Sequence, residues 1–391
     1  MNRRLEVLAG LGLALVGLVV AFILVELGVR VLHLVPDRFW EPDSRTGVRL
    51  KAGKRGWWTQ EEREFVVPVE INQQGLRDLP RTYAKPPGVL RILVVGDSFV
   101  EAMHVRLDDV FTRRLERLLE GVGANRRVEV ISAGVSGWGT ASEFLWLQEE
   151  GSKYQPDIVL LHFYPGNDIK NNSPTLEDTL PPVYAENGEL LSVGSKKPEV
   201  RVNRGLLGRS KAYAFFRQLL VTRRPSWMQA FERLGLVRLP APRAPAMRDG
   251  LPVDFGVYQV PPPEEWLDAW RRTEGLLKAT AQVVQGMGAR FGIVIAAGRE
   301  QVNPGAWERI LATYPAAKEK EFDLEQPERW VGEWCAAHQV PCLRLTPAFR
   351  AAAEKSRAPL HFWYDGHWTE EGHRIAAEEV RKFLLANFPL S

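Results

Sequence analysis

Five short strand-like runs, the first four of them rich in β-branched residues, separated by segments of helical length, constrain this chain more than any other feature. They lie at 90–95, 127–131, 157–163, 290–296 and 341–345. Between and after them, 110–121, 141–150, 264–287, 327–338 and 370–387 read as helices, several with a clear amphipathic period. Strands joined by helical crossovers pair in parallel and form a sheet covered on both faces. The expected fold class is therefore α/β, a flavodoxin-like three-layer sandwich around a five-stranded parallel sheet. Composition agrees: 45% hydrophobic and 25% charged residues exclude both wholesale disorder and a polytopic membrane protein. A net charge of +3 is too mild to argue for a nucleic-acid partner.

The amino terminus stands outside that domain. Residues 7–25 contain no charged side chain, and 19 helical residues nearly span a hydrocarbon core of about 30 Å. Arg3 and Arg4 precede the run, which places the amino terminus in the cytoplasm and the rest outside, periplasmic or at the cell surface. A cleaved signal peptide is the rival, with Val19-Val20-Ala21 as its site. Phe22-Ile23-Leu24-Val25 continues the apolar run, however, and favours an uncleaved signal anchor over residues 1–33. Residues 34–88 read as a linker and small β-rich extension, with 65–71 strand-like and Asn72-Gln73-Gln74-Gly75 as a turn. Pro80, Pro86 and Pro87 mark its end.

The main domain, 89–388, is interrupted at about 170–263 by a Pro/Arg-rich insertion. From Lys196 to Arg248 there are 13 Lys/Arg and 2 Asp/Glu, a local charge of +11 that leaves −8 for the remainder. Within it Ala212, Phe215, Phe216, Leu219 and Leu220 recur at helical spacing. The preferred reading is an insertion that packs this helix and solvates a basic face; the other is a lid or a docking surface for anionic lipid or polymer.

Four polar motifs fall just beyond strand ends. Gly96-Asp97-Ser98 follows the first strand, Gly137 the second and Gly166-Asn167-Asp168 the third, while Asp365-Gly366-His367-Trp368 precedes the closing helix. Ligands of open parallel sheets bind at that edge. A serine hydroxyl needs an imidazole to take its proton and a carboxylate to hold the imidazole's tautomer, which Ser98, His367 and Asp365 would supply. The backbone N–H groups of Ser98 and Gly137 and the amide of Asn167 are candidate oxyanion donors.

These blocks, in this order, resemble the SGNH/GDSL hydrolase superfamily, whose four letters fall on Ser98, Gly137, Asn167 and His367, with Asp365 completing a triad. The resemblance implies a flavodoxin-like fold, no metal or cofactor, and hydrolysis or transfer of acyl groups from an ester substrate. The usual Asp-x-x-His is shortened here to Asp-x-His and followed by Trp368. That form is similar to bacterial membrane-linked polysaccharide O-acetyltransferases of the alginate-acetylation type, and it makes a polysaccharide a candidate partner. Ser132 stands where Asn is common. A catalytically silent carbohydrate-binding module on the same fold is the alternative, and the intact Ser98, Asn167, Asp365 and His367 argue against it.

Plainer readings accompany these. Gly-Asp-Ser alone is more often a turn, and Asn167-Asp168 could cap one. His162 reads as a hydrogen-bonded core residue and His373 as structural. A zinc site from His361, His367 and His373 lacks the spacing of a one-face pair. Cys335 and Cys342, six residues apart, do not match a zinc knuckle and are either a pair or two buried thiols.

Overall fold

A computed structural model describes residues 3–122, 127–176, 183–184, 190–192, 210–223, 227, 247–356 and 358–388. Helix α1 (Arg3–Val31) is followed by strands β1 (Val89–Gly96), β2 (Arg127–Gly134), β3 (Ile158–Phe163), β4 (Arg290–Ile295) and β5 (Cys342–Arg344). These five form one parallel sheet in the order β5-β4-β3-β1-β2, the flavodoxin-like arrangement. Every residue of β1 and β3 is buried, which explains runs that are apolar without alternation. Arg91 is the exception in β1, and its guanidinium is met by Glu129 of β2 and the carbonyls of Tyr83 and Tyr154.

The pleat divides the core in two. Ile92, Val94, Val130, Leu160 and Val294 pack with Phe111 and Leu115 of helix α2 (Phe111–Leu118) on one face. Leu93, Val95, Ile131 and Val159 pack with Leu147 of α3 (Thr140–Glu149) on the other. Beyond α4 (Lys211–Arg223), α5 (Glu264–Gly286) adds Val284 to that second layer. Helix α6 (Pro304–Thr313) precedes α7 (Gln326–His338), whose Val331 and Trp334 cover Ile293 and Ile295. Helices α8 (Thr346–Lys355) and α9 (Glu370–Asn387) return to the first layer through Phe349, Val380 and Leu384. Helices α6 and α8 have no counterpart in the expected pattern.

Register aligns the strand ends. Gly96 lies opposite Gly134, Val95 opposite Leu161, and Phe163 and Arg344 both opposite Ile295. The loops that leave these ends therefore share one edge.

The chain forms two compact units that do not follow chain order. One comprises Met1–Asp37, Trp57–Val66 and Val200–Ala244; the other comprises Arg38–Gly56, Val67–Glu199 and Pro245–Ser391. In the first, α1 exposes its apolar side chains and is long and apolar enough to cross a membrane. The helix expected around Ala212 is α4, whereas most of the basic run lies outside the described residues. In the second, Trp40–Asp43 and Gly47–Leu50 form a hairpin, and Asn72 accepts the N–H groups of Gln74 and Leu76 at the expected turn. Cys335 and Cys342 are free thiols.

Candidate active site

The first loop is built by close approach. A Cβ on Gly134 would lie 2.6 Å from the Asp97 carbonyl, so only glycine lets β2 meet the turn after β1. Asp97 caps the short helix Ser98–Glu101 by accepting the Phe99 N–H at 2.9 Å, which fixes Ser98 at the turn. Ser132 ties in the other end of that helix by donating to the Val100 carbonyl. Gly137 is exposed with φ +86, a conformation that favours glycine whatever space a ligand needs.

A strap before α9 supplies the partners. His361 and Trp368 form an antiparallel bridge, the Phe362 N–H donates to the His367 carbonyl at 2.8 Å, and Gly366 turns the tip. Trp368 is fully buried, and its indole N–H donates to the Ala297 carbonyl at 3.0 Å. Between these fixed points, His367 Nε2 lies 2.7 Å from Ser98 Oγ and its Nδ1 lies 2.6 Å from Asp365 Oδ1. With the proton on Nδ1 donated to the carboxylate, Nε2 is left to accept the Ser98 hydroxyl.

A second histidine, absent from the sequence expectations, completes the cluster. His104 stacks on His367 with centroids 4.0 Å apart and planes 13° apart, and its Nε2 lies 3.4 Å from Asp365 Oδ1. Burial, with His367 alongside, holds His104 well below the usual histidine range and therefore neutral. Phe99 packs 4.9 Å from the His367 ring centre. Burial alone would raise the Asp365 carboxyl, but the His367 hydrogen bond and the two neighbouring imidazoles outweigh it and bring it down to about 2. The one signal for His104 in sequence is a histidine in the mostly apolar stretch Ala102-Met103-His104-Val105, just after the Gly96-Asp97-Ser98 turn.

Asn167 sits in the short helix Pro165–Asp168, and its neighbour Asp168 does cap the turn by accepting the Tyr164 N–H at 2.6 Å. The Asn167 amide is more engaged than expected. Nδ2 donates to Asp97 Oδ2 at 2.7 Å and to the Trp138 carbonyl at 3.3 Å, while Oδ1 is buried without a partner among the described residues. Asp97, Glu143 and Asp168 are fully buried, and burial raises all three carboxyls above the usual carboxylate range.

The remaining histidines sit apart from these roles. His361 Nε2 contacts the Ala297 carbonyl, and His373 Nδ1 accepts the Phe111 N–H, a structural role as expected. The set His361, His367 and His373 is not the one brought together: among the described residues the close group of ligating side chains is His104, Asp365 and His367. His162 corrects another expectation. It is core, but both ring nitrogens lack a hydrogen-bond partner among the described residues, and burial against Phe111 and Trp368 lowers it to about 3.

The sequence model of the GDSL-like lipase/acylhydrolase family matches residues 94–375, from the middle of β1 into α9. The chain belongs to this GDSL-like family. Membership makes it a hydrolase of the esterase type. Among solved structures the chain is similar to the acetyl xylan esterase AlAXEase, with 12% identity over 75% of this chain and 98% of that one and a TM-score of 0.39. It is similar to TesA at 14% identity over 75% and 98%, TM-score 0.38. It is also similar to Axe2, an acetylxylan esterase from Geobacillus stearothermophilus, at 12% over 75% and 94%, TM-score 0.40. No curated protein matches it. In this GDSL-like chain the matched segment contains Ser98, Gly137, Asn167, Asp365 and His367.

Proposed function

We propose that the protein is a serine-dependent acyl-ester hydrolase or O-acyltransferase in which Ser98 is the nucleophile, His367 the general base and Asp365 the residue that orients it. The observation that supports this best is the unbroken hydrogen-bond chain Asp365–His367–Ser98, 2.6 and 2.7 Å, linking side chains 269 positions apart. Ser98 Oγ attacks the ester carbonyl and passes its proton to His367 Nε2. The imidazolium is stabilised by Asp365, which stays ionised, and the proton then goes to the leaving alkoxide. Water or a sugar hydroxyl, deprotonated in turn by His367, takes the acyl group from Ser98.

The oxyanion would be met by the N–H groups of Ser98 and Gly137 and by the Asn167 amide, which gives up its long contact to the Trp138 carbonyl. The apolar helix α1 with Arg3 and Arg4 before it supports a reading in which the protein is membrane-anchored and this chemistry acts outside the cytoplasm on cell-envelope carbohydrate or lipid esters. Initial rates on acetyl and longer-chain aryl esters, with and without an O-acceptor oligosaccharide, test the reading. Ester turnover lost in Ser98→Ala supports it, and acylated oligosaccharide among the products selects transfer. No turnover of any ester by the folded wild type would refute it.

A further inference from the structure

Helix α4 belongs to the insertion, yet its start is fastened to α1. Glu26 is the first charged residue after the uncharged run 7–25, one position past the stretch that matches a hydrocarbon core. Its carboxylate accepts the N–H of Lys211 at 3.0 Å, the N–H of Ala212 at 2.8 Å and the Ser210 hydroxyl at 2.8 Å. Lys211 Nζ then donates to the carbonyls of Val35 and Pro36 and pairs with Asp37, so the first turn of α4 is also held to the segment that follows α1. Carboxylate capping of a helix start is favourable in itself, and here it sets the depth of α4 relative to α1.

The surface α4 presents is unusual for water. Phe216 is 46% exposed and Leu219 41%, and with the exposed Arg223 they fall at i, i+3 and i+7 on one face; Trp227 beyond the helix is 59% exposed. The charged residues of α4 are Lys211, Arg217 and Arg223, with no acid among its 13 residues. Apolar side chains and cations on one short helix at headgroup depth are the features of a helix that lies in a membrane interface, apolar side towards the acyl boundary and cations among anionic headgroups. The local charge of +11 over 196–248 complements such a surface.

We propose that α4 is an interfacial helix bound to the anionic lipid surface next to α1, with Glu26 as the residue that positions it. The proposal rests on α1 spanning the bilayer and is independent of the chemistry at Ser98. The test uses the full chain reconstituted in phosphatidylcholine vesicles with or without phosphatidylglycerol, carrying an environment-sensitive fluorescent amino acid at position 216, 219 or, as control, 385. Quenching by doxyl-labelled lipid should be several-fold greater at 216 and 219 than at 385, should increase with phosphatidylglycerol, and should fall on addition of salt and in Glu26→Ala. Carbonate extraction separates the two premises. If the chain resists extraction but positions 216 and 219 are quenched no more than 385, or equally in both lipids, the proposal fails while the anchor stands. If the chain is extracted, anchor and proposal fail together. A response at 216 to soluble dextran sulfate, without lipid quenching, would assign the face to an acidic polymer and overturn the proposal.

Discussion

Replacing Asn167 with alanine should lower kcat much more than it lowers stability, and the structure sets the size of both effects. Loss of one oxyanion donor typically costs about 2.7–4 kcal/mol. Here the donor is already engaged, because the contact from Nδ2 to the Trp138 carbonyl, 3.3 Å long, must open for an oxyanion to be bound. A neutral hydrogen bond is worth about 0.5–1.5 kcal/mol net, so the transition-state contribution comes to about 2–3 kcal/mol. At about 1.36 kcal/mol per decade, kcat should fall about 30- to 150-fold with KM little changed. The 2.7 Å bond to Asp97 is also lost, a stability cost of about 1 kcal/mol for a typical hydrogen bond. Asn167→Asp keeps the shape, removes the donor and places a second carboxyl beside Asp97, and it should be at least as damaging. Separate kcat and KM on an aryl acetate, with urea unfolding of each variant, measure these effects. A variant with altered KM and wild-type kcat would refute the oxyanion role.

Three further outcomes follow from the geometry. His104→Phe keeps a ring against His367 but removes the Nε2 contact with Asp365; kcat should fall about tenfold, the scale of one charge-assisted hydrogen bond, with KM unchanged in steady-state assays. Trp368→Ala empties a fully buried site and should cost about 3–5 kcal/mol in urea unfolding, whereas Trp368→Phe should lose mainly the bond to Ala297. Burial pushes the Glu101 carboxyl up to about 7 against hydrogen bonds from Ser136 and Trp40, so above pH 4.5 the folded chain keeps a proton that the unfolded chain loses. Stability should therefore decline from about pH 4.5 to about 7, and Glu101→Gln should flatten that part of a Tm profile.

The sheet was legible because β1 and β3 are buried on both faces, which forces unbroken apolar runs of strand length. The carboxyl edge was legible for a related reason: the loops at Asp97, Gly137 and Asn167 begin within a few residues of strand ends that the register brings level. What local pattern does not encode is pairing across distance. The stacking of His104 on His367, the hold of Asp97 on Asn167 and the capping of α4 by Glu26 join residues 263, 70 and about 185 positions apart. Helix α8, an alanine-rich segment opened by Pro347, carries little apolar periodicity because only Thr346 and Phe349 are buried in it. Buried His162 shows a different limit, since the expectation of a hydrogen bond was chemical and the surroundings are aromatic rings instead.

The central claim is that Ser98 is an activated nucleophile. Treating the folded full chain with a fluorophosphonate probe and mapping the adduct by peptide mass spectrometry tests it directly. A single phosphonylated residue, Ser98, is expected, with labelling abolished in Ser98→Ala and strongly slowed in His367→Ala. An adduct on another serine, or undiminished labelling of Ser98→Ala, would contradict it. A folded wild type that neither labels nor turns over esters would instead mark a silent binding module on this fold.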